Sequence, residues 1–304
     1  MIPLPHEHKF ISVWHRVVAL LAVVIIALTG FEALVYVNNL YQPVLYIQLS
    51  GFIYLIFIFW TMFIFDLHFK QFFSGPGNVW QVLKTRFHYM GKWEHFRHFQ
   101  NYLVLPGIIY WGSIVIIGIN FGHYKLQQFI VSASVLSLIG VFALLKEIFR
   151  VKQTPINNNH FLILGYIKLY AAWLIYSAAL GIVWFYCFPP HVFYLVIYLT
   201  TFMLLYQACF QFAALRFRNV LAIFIISLAV AIGSYFVYQY WNVNYFSAGL
   251  FLAAIYNLLW SSMFHIIRKS LTKETLLEQL AIFALIVIMV FGLTNFNARI
   301  LRCG

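Results

Sequence analysis

Charge is scarce in this sequence. Charged residues make up 9% of 304, and only seven of them are Asp or Glu. A soluble surface of this size needs roughly 25% charged residues to stay dissolved, so a soluble globular domain is excluded. Cysteine is sparse too. Cys187, Cys209 and Cys303 have neither CxxC nor paired spacing, which points to neither a disulfide framework nor a thiolate metal site. The phosphate-cradling Walker loop, the zinc-binding HExxH helix and the GxSxG nucleophile elbow are all missing from the sequence. NTPase and hydrolase chemistry therefore lack their usual carriers.

Apolar residues are abundant instead: 64% of the chain is hydrophobic. They come in runs of about 20, the length that crosses a ~30 Å hydrocarbon layer. The expected fold is an all-α integral membrane protein, a bundle of about nine transmembrane helices. The spans are expected near 17–37, 44–65, 101–121, 127–145, 168–188, 192–213, 220–238, 246–266 and 276–295. The first run continues through Val37 without a small-residue cleavage site, so it reads as a retained span, not a signal peptide. A polar linker from Gln153 to Asn159, carrying Pro155, divides the chain into residues 1–152 with four spans and 153–304 with five.

The formal charge of +12 reports topology. Of 19 Lys and Arg, 16 fall on one side of the expected membrane, the exceptions being Lys125, Arg299 and Arg302. This positive-inside bias implies a cytoplasmic N-terminus in a bacterial-type inner (plasma) membrane. It makes the lipid bilayer, not nucleic acid, the partner of the basic residues. Nine crossings place Arg299 and Arg302 outside, where they fit the bias poorly. Short outer loops are expected at 38–43, 122–126, 189–191 and 239–245, with Tyr240, Trp241 and Tyr245 in an interfacial belt. The long polar stretch Asp66–Gln100 is broken at Ser74-Gly75-Pro76-Gly77. Asn78 can then cap a helix whose Val79, Val82, Leu83 and Phe87 recur at helical spacing. That segment reads either as an interfacial helix or as a solvated loop. An offset of 152 pairs His8 with His160, Trp14 with Tyr166, Arg16 with Lys168, Ala19 with Ala171 and Leu28 with Leu180, a faint internal repeat.

Polar groups inside a bilayer are costly and mark candidate sites. Nine of the 11 histidines fall on the cytoplasmic side of this topology. His15, His68, His98 and His265 stand at depths where two imidazoles from neighbouring spans can clasp a haem iron. Histidines at span ends also sit at headgroup level or bond a helix terminus, and that plainer role competes at each position. In span eight, Asn257, Ser261 and His265 recur every four residues and form one polar stripe. Span six carries Gln207 and Gln211 at the same spacing, beside Tyr206. Such stripes glue helices together, or they line a quinone or solute site. Glu32, near the outer end of span one, reads either as a proton relay or as an interfacial carboxylate.

Trp14-His15-Arg16 opening span one, Leu28-Thr29-Gly30 near its end, and Gly91-Lys92-Trp93 with Gln100 before span three carry a family likeness. Over residues 8–152 the chain resembles the cytochrome b subunits of formate dehydrogenases and Ni-Fe hydrogenases, the gamma-type membrane anchors. The resemblance implies haem b held by span histidines, and electrons passing between a quinone and a partner redox subunit. His15 matches the span-one ligand of that family. Gln48 stands where the span-two ligand belongs, and no histidine occurs between His123 and His160 to supply the span-four pair. One haem or none is then expected, with His98 or His265 as the mate of His15. The functions in view are a cytochrome-b-like subunit for quinone-linked electron transfer, a secondary transporter of a small solute, and a cofactor-free membrane scaffold. Few buried charges and no paired broken helices count against the transporter.

Overall fold

The computed structural model describes residues 13–66, 93–150, 158–211, 216–241, 243–268 and 270–294; the side chains of His15, His98 and Gln211 are not among those described. The candidate interfacial helix at 78–88 and His68 also lie outside the described residues. Nine helices occur among the described residues: α1 Val13–Asn39, α2 Pro43–Asp66, α3 Trp93–Ile119, α4 Tyr124–Arg150, α5 Asn158–Tyr186, α6 Pro190–Gln211, α7 Phe217–Tyr240, α8 Tyr245–Arg268 and α9 Lys273–Leu293. Their number and order follow the nine apolar runs. Seven are long and apolar enough to cross a membrane; the described apolar stretches of α2 and α3, Pro43–Phe59 and Leu103–Ile119, are shorter. In lipid only a helix or a closed barrel satisfies the backbone internally, which is why each run becomes one helix. Proline stands at the first position of α2 and of α6, where its missing N–H costs nothing. Thr272 caps α9 reciprocally with Thr275: the Thr275 N–H donates to Thr272 Oγ1 at 3.2 Å and the Thr272 N–H to Thr275 Oγ1 at 2.9 Å.

Two expectations need correction. Helix α5 begins at Asn158, about ten residues before the predicted span. The polar Asn158 and Asn159 therefore belong to the helix, not to the linker, because hydropathy marks where apolar side chains begin and not where the backbone coils. At 29 residues the helix is about 43 Å long, enough to traverse the headgroup layers as well. Secondly, Cys187 is disulfide-bonded, although the spacing of the cysteines predicts no disulfide. Sequence spacing carries no information about which remote chain ends meet in space.

α5 is the pillar of the bundle. It packs most extensively on α8 and α3, and also on α6 and α4. Of the seven spans it is the most buried and α9 the least. Small residues permit this crowding. A Cβ placed on Gly249 of α8 would lie 2.9 Å from the Cα and 2.7 Å from the amide nitrogen of Ser177 in α5. A Cβ on Gly112 of α3 would lie 3.3 Å from the Ile175 nitrogen of the same helix. Such close backbone approach replaces the hydrophobic effect as the source of helix association in lipid.

The face on which α1 begins is here the proximal face and the opposite one the distal face. Polar groups tie the distal helix ends together. Asn38 Nδ2 donates to the Ile117 carbonyl at 2.9 Å, and Asn39 Nδ2 to Gln127 Oε1 at 3.1 Å. The Gly122 N–H donates to Asn39 Oδ1 at 3.3 Å. Tyr245 OH donates to Asn120 Oδ1 at 2.7 Å. The turns after α1, α3 and α7 thus lie on one face, as alternating crossings require. Tyr245→Phe is expected to cost about 1–2 kcal/mol, because it strands the buried Asn120 carbonyl oxygen. Thermal inactivation followed by size exclusion measures this, and a variant as heat-resistant as the parent would refute the tie.

Candidate functional site

The residues singled out from the sequence do not converge on one point. His265 is half-buried at the proximal end of α8, with Nδ1 3.0 Å from Ser270 Oγ and its ring edge-on to Phe264. Asn257 and Ser261 are half-buried on the same helix. The fully packed stripe of α8 is a neighbouring one, made by Leu252, Ala253, Tyr256, Trp260 and Met263. Gln207 is fully buried in α6, whereas its spacing partner Gln211 has no described side chain. Glu32 accepts a hydrogen bond from Gln128 Nε2 at 2.9 Å, so it bridges α1 and α4.

The haem geometry implied by the resemblance finds no support among the described side chains. Gln48, at the expected span-two position, is exposed on the outside of the bundle. Of the histidines with described side chains, His123 and His191 are exposed at the distal face and His265 stands at the proximal one. They supply no imidazole pair, and among the described residues no group of three or more His, Cys, Asp or Glu converges to hold a metal ion.

A polar seam that sequence reading missed runs between α5, α6 and α8. Its base is Lys168, 4% exposed and ten residues into α5. The sequence reading places this lysine at a cytoplasmic boundary; in the structure it is about 9 Å inside the apolar stretch that starts at Leu162. Cys209 on α6 carries a free, buried thiol. Tyr256 of α8 and Tyr176 of α5 are fully buried as well. Tyr176 and Thr201 hydroxyls meet at 2.6 Å, and Thr201 Oγ1 donates to the Ile197 carbonyl at 2.6 Å. Thr201 has one proton, already committed to that carbonyl, so Tyr176 is the donor to Thr201.

The two remaining hydroxyls of the seam differ from these. Ser177 Oγ and Tyr256 OH are buried without a hydrogen-bond partner among the described residues. Leaving such a group unsatisfied costs about 1–3 kcal/mol. Ser177 stands at the crossing of α5 and α8, against Gly249, and Tyr256 lies about two helical turns from Gly249 along α8.

A second hydrogen-bonded chain lies on the other side of α5. Ser113 Oγ donates to the Ile109 carbonyl at 2.6 Å, lies 2.6 Å from Ser134 Oγ, and Ser134 Oγ lies 2.8 Å from Tyr170 OH. The same proton count orders it from Tyr170 through Ser134 to Ser113. Every member is satisfied, so this chain cross-links α5, α4 and α3 and offers no open donor.

Only tertiary packing distinguishes the seam. Tyrosines and single hydroxyls are common at lipid and belt positions, and Lys168 follows a polar segment, as boundary lysines do. The one signal available beforehand was the alignment of Lys168 with Arg16 in the faint repeat. Comparisons with protein-family models, with curated proteins and with solved structures find no match for this chain.

Proposed function

We propose that the protein is a membrane carrier for a small anionic solute, in an occluded form with its site in the seam between α5, α6 and α8. The observation that carries this is the buried cation: Lys168 sits inside the bundle on α5, and the seam that it opens holds the buried Tyr256 hydroxyl, which has no hydrogen-bond partner among the described residues. The objection that buried charge is lacking falls away with it. A charge held within the apolar layer is costly, about 2.5–3.5 kcal/mol at the bilayer centre, and is rarely kept without a use. Helices α5 to α8 contain no Asp or Glu, so the seam brings a positive charge and donors but no carboxylate. An anion with acceptor oxygens suits that set: the ammonium supplies charge, and Tyr256 supplies a directional donor. With Lys168 enclosed in the bundle, 15 Lys and Arg fall on the proximal side against three exceptions, which supports a proximal face in the cytoplasm and a bacterial-type inner membrane.

Screening detergent-purified protein by thermal shift against small carboxylates and inorganic anions, followed by counterflow uptake in proteoliposomes, tests the reading. At least one anion should stabilise the protein and exchange across the vesicle. Tyr256→Phe removes an unsatisfied hydroxyl and is expected to raise stability by about 1 kcal/mol, while lowering the stabilisation given by the anion. A Tyr256→Phe protein that loses stability without any anion would contradict the role assigned to that hydroxyl.

The same donors suit the carbonyl oxygens of a quinone. With the Trp14-His15-Arg16 likeness this supports a second reading, quinone-linked electron transfer with haem b and a partner redox subunit. A reduced-minus-oxidised spectrum of the purified protein separates the two. A b-type band lost in His15→Ala supports electron transfer; a colourless, folded, anion-stabilised protein leaves the carrier.

A further inference from the structure

The polar stripe of α8 lies outside the seam, yet it lacks the partners that polar groups inside a membrane need. Asn257, Ser261 and His265 share one face and are half-buried. Measured from Ile267, the proximal end of the apolar stretch, Asn257 stands about 15 Å deep and Ser261 about 9 Å. Neither side chain makes a hydrogen bond to another described residue. His265 makes one, with Nδ1 3.0 Å from Oγ of the exposed Ser270. We propose that this face of α8, together with Gln279 of α9, lines a water-filled vestibule that opens on the proximal face, reaches the middle of the bilayer at Asn257, and admits the carried anion toward Tyr256. The entry role rests on the carrier reading; the water does not.

Other hydroxyls show what the chain does beside lipid. Thr29, Ser137, Thr200 and Ser262 are not fully enclosed either, and each donates to the carbonyl four residues back, at 2.6, 2.8, 2.7 and 2.8 Å. Hydrocarbon offers no acceptor, so such a hydroxyl satisfies itself on its own helix. Ser261, the neighbour of Ser262, does not turn back to the Asn257 carbonyl. The Asn257 carboxamide has two donor hydrogens and an acceptor oxygen, and nothing in hydrocarbon serves them. Water serves both residues, and for this reason intramembrane polar groups face the bundle interior or a water-filled cavity.

Helix α9 supplies the second wall. It packs on α8, and Gln279, Phe283, Ile286 and Val290, at helical spacing, lie on its less exposed side. The Phe251 and Phe291 rings, with centroids 6.4 Å apart, fix the register of this antiparallel pair. Gln279 is then level with Met263, between Ser261 and His265. Its carboxamide makes no hydrogen bond to a described residue either. Polar groups thus continue from His265 at the surface, past Gln279 and Ser261, to Asn257. Next to it in the chain is Tyr256, only 1% exposed, so in this form the vestibule ends one residue short of the donor assigned to the anion.

Labelling of introduced cysteines in lipid nanodiscs tests this, because a thiol ionises and reacts with maleimide only where water reaches it. A sulfonated maleimide is applied to full-length Ser261→Cys, Asn257→Cys and Gln279→Cys. Mass spectrometry of each peptide reads its rate apart from the native cysteines. Ser132→Cys, at an exposed position of α4 whose serine makes no hydrogen bond to a described residue, is the lipid-facing comparison. All three should label roughly tenfold faster than Ser132→Cys or more. Ser261→Cys is nearly isosteric, so it decides the matter even where an amide variant fails to fold. A rate at position 261 no higher than at 132 would overturn the vestibule. So would a Ser261→Cys chain that crosslinks on mild oxidation into a dimer absent from the wild type, since a second copy then covers the face. An anion that stabilises the wild type should slow labelling at position 257 several-fold; unchanged labelling with that anion bound would overturn the entry role. If no anion binds, the carrier reading and the entry role fall together, and the rates still decide the vestibule.

Discussion

Gly249→Leu is expected to abolish recovery of folded, monodisperse protein, and Gly249→Ala to cost about 3 kcal/mol or more, the upper end of overpacking penalties. The collision is with backbone. The added carbon would lie 2.7 Å from the Ser177 nitrogen, 2.9 Å from its Cα and 2.1 Å from its Oγ. The hydroxyl can rotate away, but the other two atoms move only if α5 and α8 separate. That interface is the most extensive in the bundle, and α5 also holds α3, α4 and α6. Trp173 Nε1 donating to the Phe246 carbonyl at 3.1 Å, one of its cross-ties, would lengthen with it. Gly51→Ala and Gly165→Ala are the controls, because no atom lies within 4 Å of a Cβ at either. Heat-step size exclusion compares them. If Gly249→Ala survives heating as well as Gly165→Ala, the close crossing is not what holds α5 to α8.

Lys168→Met is expected to separate stability from activity. Replacing an ammonium buried about 9 Å inside the apolar stretch by an apolar chain of similar length recovers part of the ~2.5–3.5 kcal/mol that a charge costs at the bilayer centre, so the variant should unfold at higher temperature. The anion that stabilises the wild type should bind roughly 10- to 150-fold more weakly, the equivalent of one charged hydrogen bond of about 1.5–3 kcal/mol. Uptake should fall accordingly. Opposite signs are the useful feature, since a purely structural lysine would lower both. Lys168→Arg keeps the charge but needs more room, and it should retain part of the binding. A Lys168→Met protein that is less stable yet binds the anion normally would remove Lys168 from the site.

The architecture was legible because the bilayer imposes one simple demand, about 20 apolar residues per crossing, and seven of the nine described helices meet it. The site was not legible. Asn257, Ser261 and His265 do share a helical face, as their spacing says, but spacing cannot tell which face of α8 meets α5. The neighbouring face, with Tyr256, does so. Lys168 follows Asn158, Asn159 and His160, so in one dimension it resembles a boundary lysine. It stands nearly two helical turns inside the apolar stretch that starts at Leu162. For Cys187 the obstacle was also dimensional: spacing along the chain says nothing of which remote segments the fold brings together.

By itself the sequence determined that this chain lives in a membrane, the order of the nine described helices, and where most of them turn. Those properties depend on the local density of apolar side chains and need no partner. Which tyrosine donates, which lysine is enclosed and which cysteine is bonded was decided by packing alone. Around a helix all directions are apolar in such a protein, and only the close crossings at Gly249 and Gly112 select the direction that becomes interior.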